Sequence, residues 1–384
     1  MHTRKEIRSL SPEELLAFRR AMIELQRRDG TNSYIDLAGY HWIPREFCPH
    51  GESIFLPWHR VYIRLFEQAL QSIDPSVSLP FWDWTSSESL AQGLAPAHGD
   101  EMFDDGGVPR LNPLFSGPIE DRSRQTRRNP PQALRRLREH ASAAIDAMSD
   151  SNDFMSFTVA IEGPHGDIHG WVGGPGGDMS TILRSAYDPI FWSHHANVDR
   201  QWAIWQKCNP QGNPPPEIMS LSLESRGFPG WSVADTLDLS SPRLDYTYEG
   251  LDTVTCPIRT LHELFGKPRI KVEIKNIVIT RGSFIVDIYL RRKNSALEEG
   301  VFSGSFSIFG LPSNEGGHFP GHHHHHTPVN RLIDVTEAFY GMELGEDQLH
   351  YVDIQLQAVN MDGESVDPAA LPIEGVELTI PDRS

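Results

Sequence analysis

The sequence predicts a chain in two parts, a mainly α domain over residues 1–255 and an antiparallel β-sandwich domain over 256–384. Three observations carry this. At 384 residues the chain exceeds one ordinary domain and suits two. Its first part repeats apolar residues at helical spacing, with capping residues at the starts. Near residue 250 the pattern changes to apolar/polar alternation punctuated by Gly, Pro and Asn. With 39% hydrophobic, 22% charged and 9% aromatic residues, the composition can fill sizeable cores.

The helical signals come first. The segment from Ser9 to Arg28 contains SPEE, a serine cap followed by proline and two acids, which is how helices begin. Trp58 to Leu70 places Val61, Leu65 and Ala69 on one face and reads as a helix, followed by the extended aromatic stretch SLPFWDWTS. Ser86 to Asn129, rich in Gly, Pro, Asp and Arg, reads as a long surface excursion whose RQTRR run is a solvated loop. Pro131 to Met148, Pro164 to Gly170 and Asp188 to Lys207 return to helix, with the loop GGPGG between the last two. IKVEIKN, FIVDIYL, FSGSFSIF, RLIDVTE and YVDIQLQAV then alternate as strands of an antiparallel sandwich.

Charge and cysteine content narrow the functions. A net charge of −18 argues against nucleic acid or an anionic membrane and favours a neutral or cationic small molecule. No stretch has the length of a transmembrane helix, and MHTRKEIRSLSPEELL lacks the apolar run of a secretory signal. The expected location is therefore cytoplasmic, with export by a partner or by processing left open. Three cysteines form no disulfide framework; Cys208 and Cys256 could pair, leaving Cys48 alone. The run His322 to His326 resembles a tag but precedes a strand-like segment, so it reads as a loop that binds metal incidentally, without a catalytic role.

The histidines carry the chemistry. In CPHGESIFLPWHR, His50 and His59 stand nine residues apart, and His41 lies nine upstream. His165 and His169, spaced i, i+4, project from one helix face and can grip one metal. The zinc-protease motif with the same spacing needs Glu after the first histidine, where this chain has Gly166. In the HH pair, adjacent helical residues point about 100° apart, so the two cannot share one pocket. His195 lies on a stripe with Phe191, Val198 and Trp202, whereas His194 shares a more polar one with Asn197 and Gln201, so His195 is expected as the buried ligand. Asp199, one turn on, is expected to hydrogen-bond it. Taken singly, each histidine is more often a satisfied core or surface residue; two triplets in helical context argue for metal. Three neutral imidazoles per ion with an open position suit copper, zinc or iron.

These residues carry a family resemblance. FLPWHRVYIRLFEQAL with FWDW, HGDIH with GG, and MSTILRSAYDPIFWSHHANVDRQWAIWQ resemble the type 3 copper proteins: tyrosinases, catechol oxidases (polyphenol oxidases) and molluscan-type haemocyanin units. DYTYEG, with Tyr246 and Tyr248, is similar to the Tyr-x-Tyr motif that closes the catalytic domain in relatives, and FSGSFSIFG looks like part of the haemocyanin unit's sandwich. The resemblance implies a central four-helix bundle holding two copper ions, one on His41, His50 and His59, the other on His165, His169 and His195. It implies dioxygen as a partner and oxidation of catechols to o-quinones, with monophenol hydroxylation in tyrosinases.

It also implies a thioether between Cys48 and His50, because this Cys-x-His pattern falls where the family has it; a buried free thiol is the alternative. Glu162 stands near where related enzymes keep a glutamate that orders a water and helps deprotonate phenols. Gly166 replaces the Asn of many tyrosinases, which weighs against monophenol hydroxylation. With Gly170 also small, an open entrance for bulky phenols is expected. Trp58, Trp82, Trp84, Trp192 and Trp202 read as core packing. The competing function is a haemocyanin-like protein that binds dioxygen reversibly, or a latent phenoloxidase whose sandwich covers the site.

Overall fold

Two of the long helices begin at a capping box, and the first is the clearer. In the computed structural model, which describes residues 1–129, 133–256, 268–278, 282–293, 300–310 and 328–380, α1 (Pro12–Arg27) begins where Ser11 and Glu14 form a capping box. α2 (Phe55–Gln71) is buried along most of its length, Trp58, Tyr62 and Phe66 included. α3 (Leu134–Asp150), α4 (Phe154–Gly173) and α5 (Ile190–Cys208) complete the long helices. The five tryptophans expected in the core are all fully buried.

α4 is longer than its sequence suggests. It starts not at Pro164 but at Phe154, where the Asp153 carboxylate accepts the Ser156 N–H at 3.0 Å. Pro164 lies inside it and removes one backbone donor. Buried Phe157, Ile161, Ile168 and Val172 hold the helix together on either side of that break. It stops at Gly173, and Gly174, at φ 62°, turns the chain into the predicted GGPGG loop.

The excursion over Ser86–Asn129 is more anchored than expected. It buries Phe103, Leu114 and Ile119. Its arginine run is not simply solvated: Arg124 pairs with Asp178 at 2.7 Å and Arg128 with the buried Asp188 at 3.0 Å. Charge hidden this way is not visible in composition, because the partners lie more than fifty residues away.

Two short strands, β1 (His2–Arg4) and β2 (Tyr246–Tyr248), pair in parallel and bring the N-terminus to the end of the helical region. The strand-rich region follows as β3 (Lys271–Ile277), β4 (Phe284–Arg292), β5 (Val301–Ile308), β6 (Val329–Asp334), β7 (Val352–Asn360), β8 (Ser365–Val366) and β9 (Gly375–Thr379). They form a four-stranded antiparallel sheet in the order β8-β7-β4-β5 and a three-stranded one in the order β9-β3-β6. Residues from both sheets join one apolar cluster, among them Val272, Ile274, Val286, Ile288, Phe306 and Ile333; this core is separate from the helical one. The His322–His326 run lies outside the described residues.

The two regions meet through charge. Arg136 of α3 pairs with Asp287 of β4, and Arg269 reaches Asp146 and Asp150 of α3 at 3.1 and 2.6 Å. A disulfide between Cys208 and Cys256 ties the end of α5 to the last described residue before the strand-rich part. Such bonds persist in oxidising compartments. Among the described residues no helix is long and apolar enough to cross a membrane.

Glu139 of α3 is pushed up to about 8, first by burial and then by Asp334 and Glu337 across the contact, with Arg135 opposing them. A carboxyl that binds its proton more tightly when docked favours the docked form at low pH. That advantage is lost as pH rises from about 4.5 towards about 8. The thermal midpoint should therefore fall across this window, and Glu139→Gln should flatten the fall; equal pH slopes in both proteins would contradict it.

Candidate dicopper centre

Six imidazoles converge from three helices and the segment that precedes α2. His59 projects from α2, His165 and His169 from α4, and His195 from α5; His41 and His50 stand in the chain leading to α2. All six are buried. Nε2 of His41 lies 3.4 Å from Nε2 of His50. Nε2 of His169 lies 3.1 Å from that of His165 and 3.2 Å from that of His195. The two groups face each other: the His59 ring stacks on His195 at 4.3 Å, and His50 lies 5.4 Å from His165.

Hydrogen bonds define which nitrogen faces inward. Nδ1 of His41 donates to the Ile182 carbonyl (3.0 Å), that of His59 to Phe55 (2.8 Å), that of His165 to Glu162 (3.3 Å) and that of His169 to Met179 (3.1 Å). A carbonyl only accepts, so each Nδ1 carries the proton and each neutral ring presents a bare Nε2 lone pair to the interior. Nδ1 of His50 meets the Glu162 carboxylate at 3.2 Å. Burial, reinforced by neighbouring histidines, holds the His41, His59, His165, His169 and His195 rings well below the ordinary histidine range. Lone pairs that face one another at about 3 Å repel unless a cation lies between them. The donor set therefore fits two borderline-soft ions.

Several expected residues take other places. His194 was expected on a polar stripe, yet it is as buried as His195, because Asn197 and Gln201 on that stripe are buried too. Its ring lies 5.2 Å over His165, burial pushes it down to about 3, and one of its nitrogens lies within 4.8 Å of ring nitrogens of His165, His169 and His195. His195 differs by aiming Nε2 at His169. Cys48 is buried, with Sγ 3.5 Å from Nε2 of His59; its sulfur and the ring nitrogens of His41, His50 and His59 lie within 4.8 Å of one another.

Asp199 does not bond His195, whose Nδ1 has no partner. Its carboxylate instead accepts from Arg60 (2.5 Å), Tyr246 (2.6 Å), Tyr248 (2.5 Å) and Arg4 (3.4 Å). The Tyr-x-Tyr motif and the N-terminal strand thus close over α5 through one buried carboxylate. Neighbours this remote in sequence give no local signal.

Gly166 and Gly170 do not line an open entrance in this structure. Both are buried, Ser307 lies against Gly170, and Phe309 lies beside Gly166. The Phe309 ring stands 4.9 Å from His169 and 5.7 Å from His50. Phe309 lies within the FSGSFSIFG stretch, where nothing in the local pattern marks it as a site residue.

Residues 31–208 match the family model described as the common central domain of tyrosinase. The chain is similar to proteins of the type 3 copper family, tyrosinases and haemocyanins among them. It is 34% identical over 220 residues to haemocyanin units G and H of Sepia officinalis, covering 53% of this chain and 37% of that one. The chain thus spans well under two thirds of that relative. Unit G of the Helix pomatia beta-C haemocyanin is 27% identical over 391 residues, 93% of this chain and 91% of that unit. A tyrosinase from Burkholderia thailandensis shares the fold at a TM-score of 0.73 and 20% identity, over 98% of this chain and 100% of that one. As in that family, the two histidine groups form a binuclear copper centre.

Asp199→Asn should lower unfolding stability by about 3–5 kcal/mol, because Arg60 stays buried without its carboxylate, whereas Arg4 keeps Glu67. The fraction that folds should bind as much copper as the unaltered protein. Denaturant titration with copper analysis checks both, and selective copper loss would instead restore a role beside His195.

Proposed function

We propose that this protein is a phenol oxidase that uses dioxygen at its dicopper centre to oxidise catechols to o-quinones, with the strand-rich region closing the site. One ion would be held by His41, His50 and His59, the other by His165, His169 and His195, within a four-helix centre (1–255) followed by a β-sandwich domain (256–384). The observation that carries this reading is the seat of Phe309. An aromatic side chain rests against one imidazole of each group, so the space it fills has the dimensions of a phenol ring. A chain of net charge −18 suits a neutral or cationic phenol.

When bound, the copper pair supplies dioxygen binding and the capacity to accept a catechol's electrons. The chain's own residues do the rest. Nδ1–carbonyl hydrogen bonds keep the rings oriented, so the ligand set need not rearrange. Glu162 binds Gly51 N–H (2.7 Å) and His50 through Oε1, which leaves Oε2 as the atom to accept a phenol's proton. Once Phe309 withdraws, Gly166 and Gly170 would leave room beside the ligands for a substituted ring. A thioether from Cys48 to His50 would brace a ring that no backbone carbonyl holds.

A second reading has its own support: closure by Phe309 and the haemocyanin relatives suit a protein that takes up dioxygen reversibly. Oxygen consumption separates the two. Copper-loaded protein should show an oxygen-dependent absorption band and, given a catechol, sustained oxygen uptake with quinone formation. Reversible oxygenation without uptake, even after Phe309→Ala, would leave only the carrier. In the same assay His195→Ala should bind about half the copper, while His194→Ala keeps it; the opposite outcome exchanges their roles. Intact mass lower by two hydrogens, mapped to Cys48 and His50, tests the thioether, and a thiol that reacts with alkylating agents after unfolding would refute it.

A further inference from the structure

β5 is the outer strand of the four-stranded sheet, and it ends just before Phe309. Outer strands present peptide groups that their own sheet does not pair. At Ser307, two residues before Phe309, one ion pair takes up both groups. The Ser307 N–H donates to Oδ1 of Asp167 at 2.5 Å, and its carbonyl accepts from Nη1 of Arg331 at 3.2 Å. Arg331, from β6, also donates Nη1 to Asp167 Oδ1 at 3.1 Å and Nη2 to Oδ2. This is the forked geometry that only arginine provides.

Asp167 lies on α4 between His165 and His169 and is buried. His140 of α3 stands 3.6 Å from its Oδ2. Glycines make the close approach possible. A Cβ on Gly163 would come within 2.9 Å of Arg331 Nε, and one on Gly170 within 2.3 Å of Ser307 Oγ. The helix that carries two copper ligands is therefore also the surface on which the end of β5 is seated.

We propose that the Arg331–Asp167 pair is a clamp that sets access to the dicopper centre by holding the strand end that carries Phe309 against the ligand helix. The inference rests on the site admitting phenols. With Arg331 gone, the Ser307 carbonyl loses a donor and Asp167 is left as an uncompensated buried carboxylate. The closed seat is then less favourable, while the helices bearing the histidines keep their own core, and α4 its cap.

The test uses the copper-loaded full chain with Arg331→Met, which keeps the stem and loses the fork, and Arg331→Lys, which keeps only the charge. Both should retain the oxygen-dependent absorption band. Amide exchange over residues 301–308 should speed up at least about 10-fold in Arg331→Met and less in Arg331→Lys, with catechol-dependent oxygen uptake rising in the same order. Wild-type exchange and uptake in both variants would overturn the clamp. Should Arg331→Met lose copper, Arg331→Lys decides, and unchanged exchange in it counts against the proposal. If exchange accelerates in Arg331→Met while neither it nor Phe309→Ala consumes oxygen with a catechol, the clamp stands and the oxidase reading fails.

Discussion

Everything in the helical region answers to one demand: neutral imidazoles must be kept buried with their Nε2 lone pairs aimed at one another. Burial and mutual repulsion hold the rings unprotonated, and carbonyls from Ile182, Phe55, Glu162 and Met179 hold their tautomers. Such an arrangement is unfavourable without a cation and tightly specified around one. It also explains why α2, α4 and α5 are buried on nearly every side, since a solvated ligand helix would let water compete for the lone pairs.

α4 meets two demands at once. Its inward face supplies His165 and His169, and its other face, built from Gly163, Gly166, Asp167 and Gly170, receives the ends of β5 and β6. A larger residue at Gly170 would collide with Ser307, so glycine here serves close approach of a second element. That second face changes the meaning of the glycines beside the histidines. They admit the end of β5 and Phe309 against the ligand helix.

The second organising contact is the Asp199 carboxylate, gathering Arg4, Arg60, Tyr246 and Tyr248 behind α5. Arg4 is held from the other side by Glu67 of α2 at 2.8 Å and lies 3.5 Å over the Tyr246 ring. Buried charges of this kind fix register more than they add stability. Here they join the first strand, α2, α5 and the Tyr-x-Tyr strand, so the helices that carry His59 and His195 cannot shift independently.

The sequence by itself determined most of the elements and the histidines of the metal centre. Helices around Ser11, Trp58 and His195, the change to strands near residue 250, and the two histidine triplets were all legible, because each is written in local periodicity, caps and spacing. The i, i+4 pair His165 and His169 proved mutual neighbours for the same reason. Only the tertiary structure decided what depends on partners far away in the chain. It turned Asp199 from His195 to Arg60 and the tyrosines, buried His194 as deeply as His195, and paired Arg124 and Arg128 with distant aspartates. It also set Phe309 and Ser307 over Gly166 and Gly170. A residue's spacing fixes which face of an element it occupies; what that face meets is set by packing between elements, and a linear pattern does not encode it.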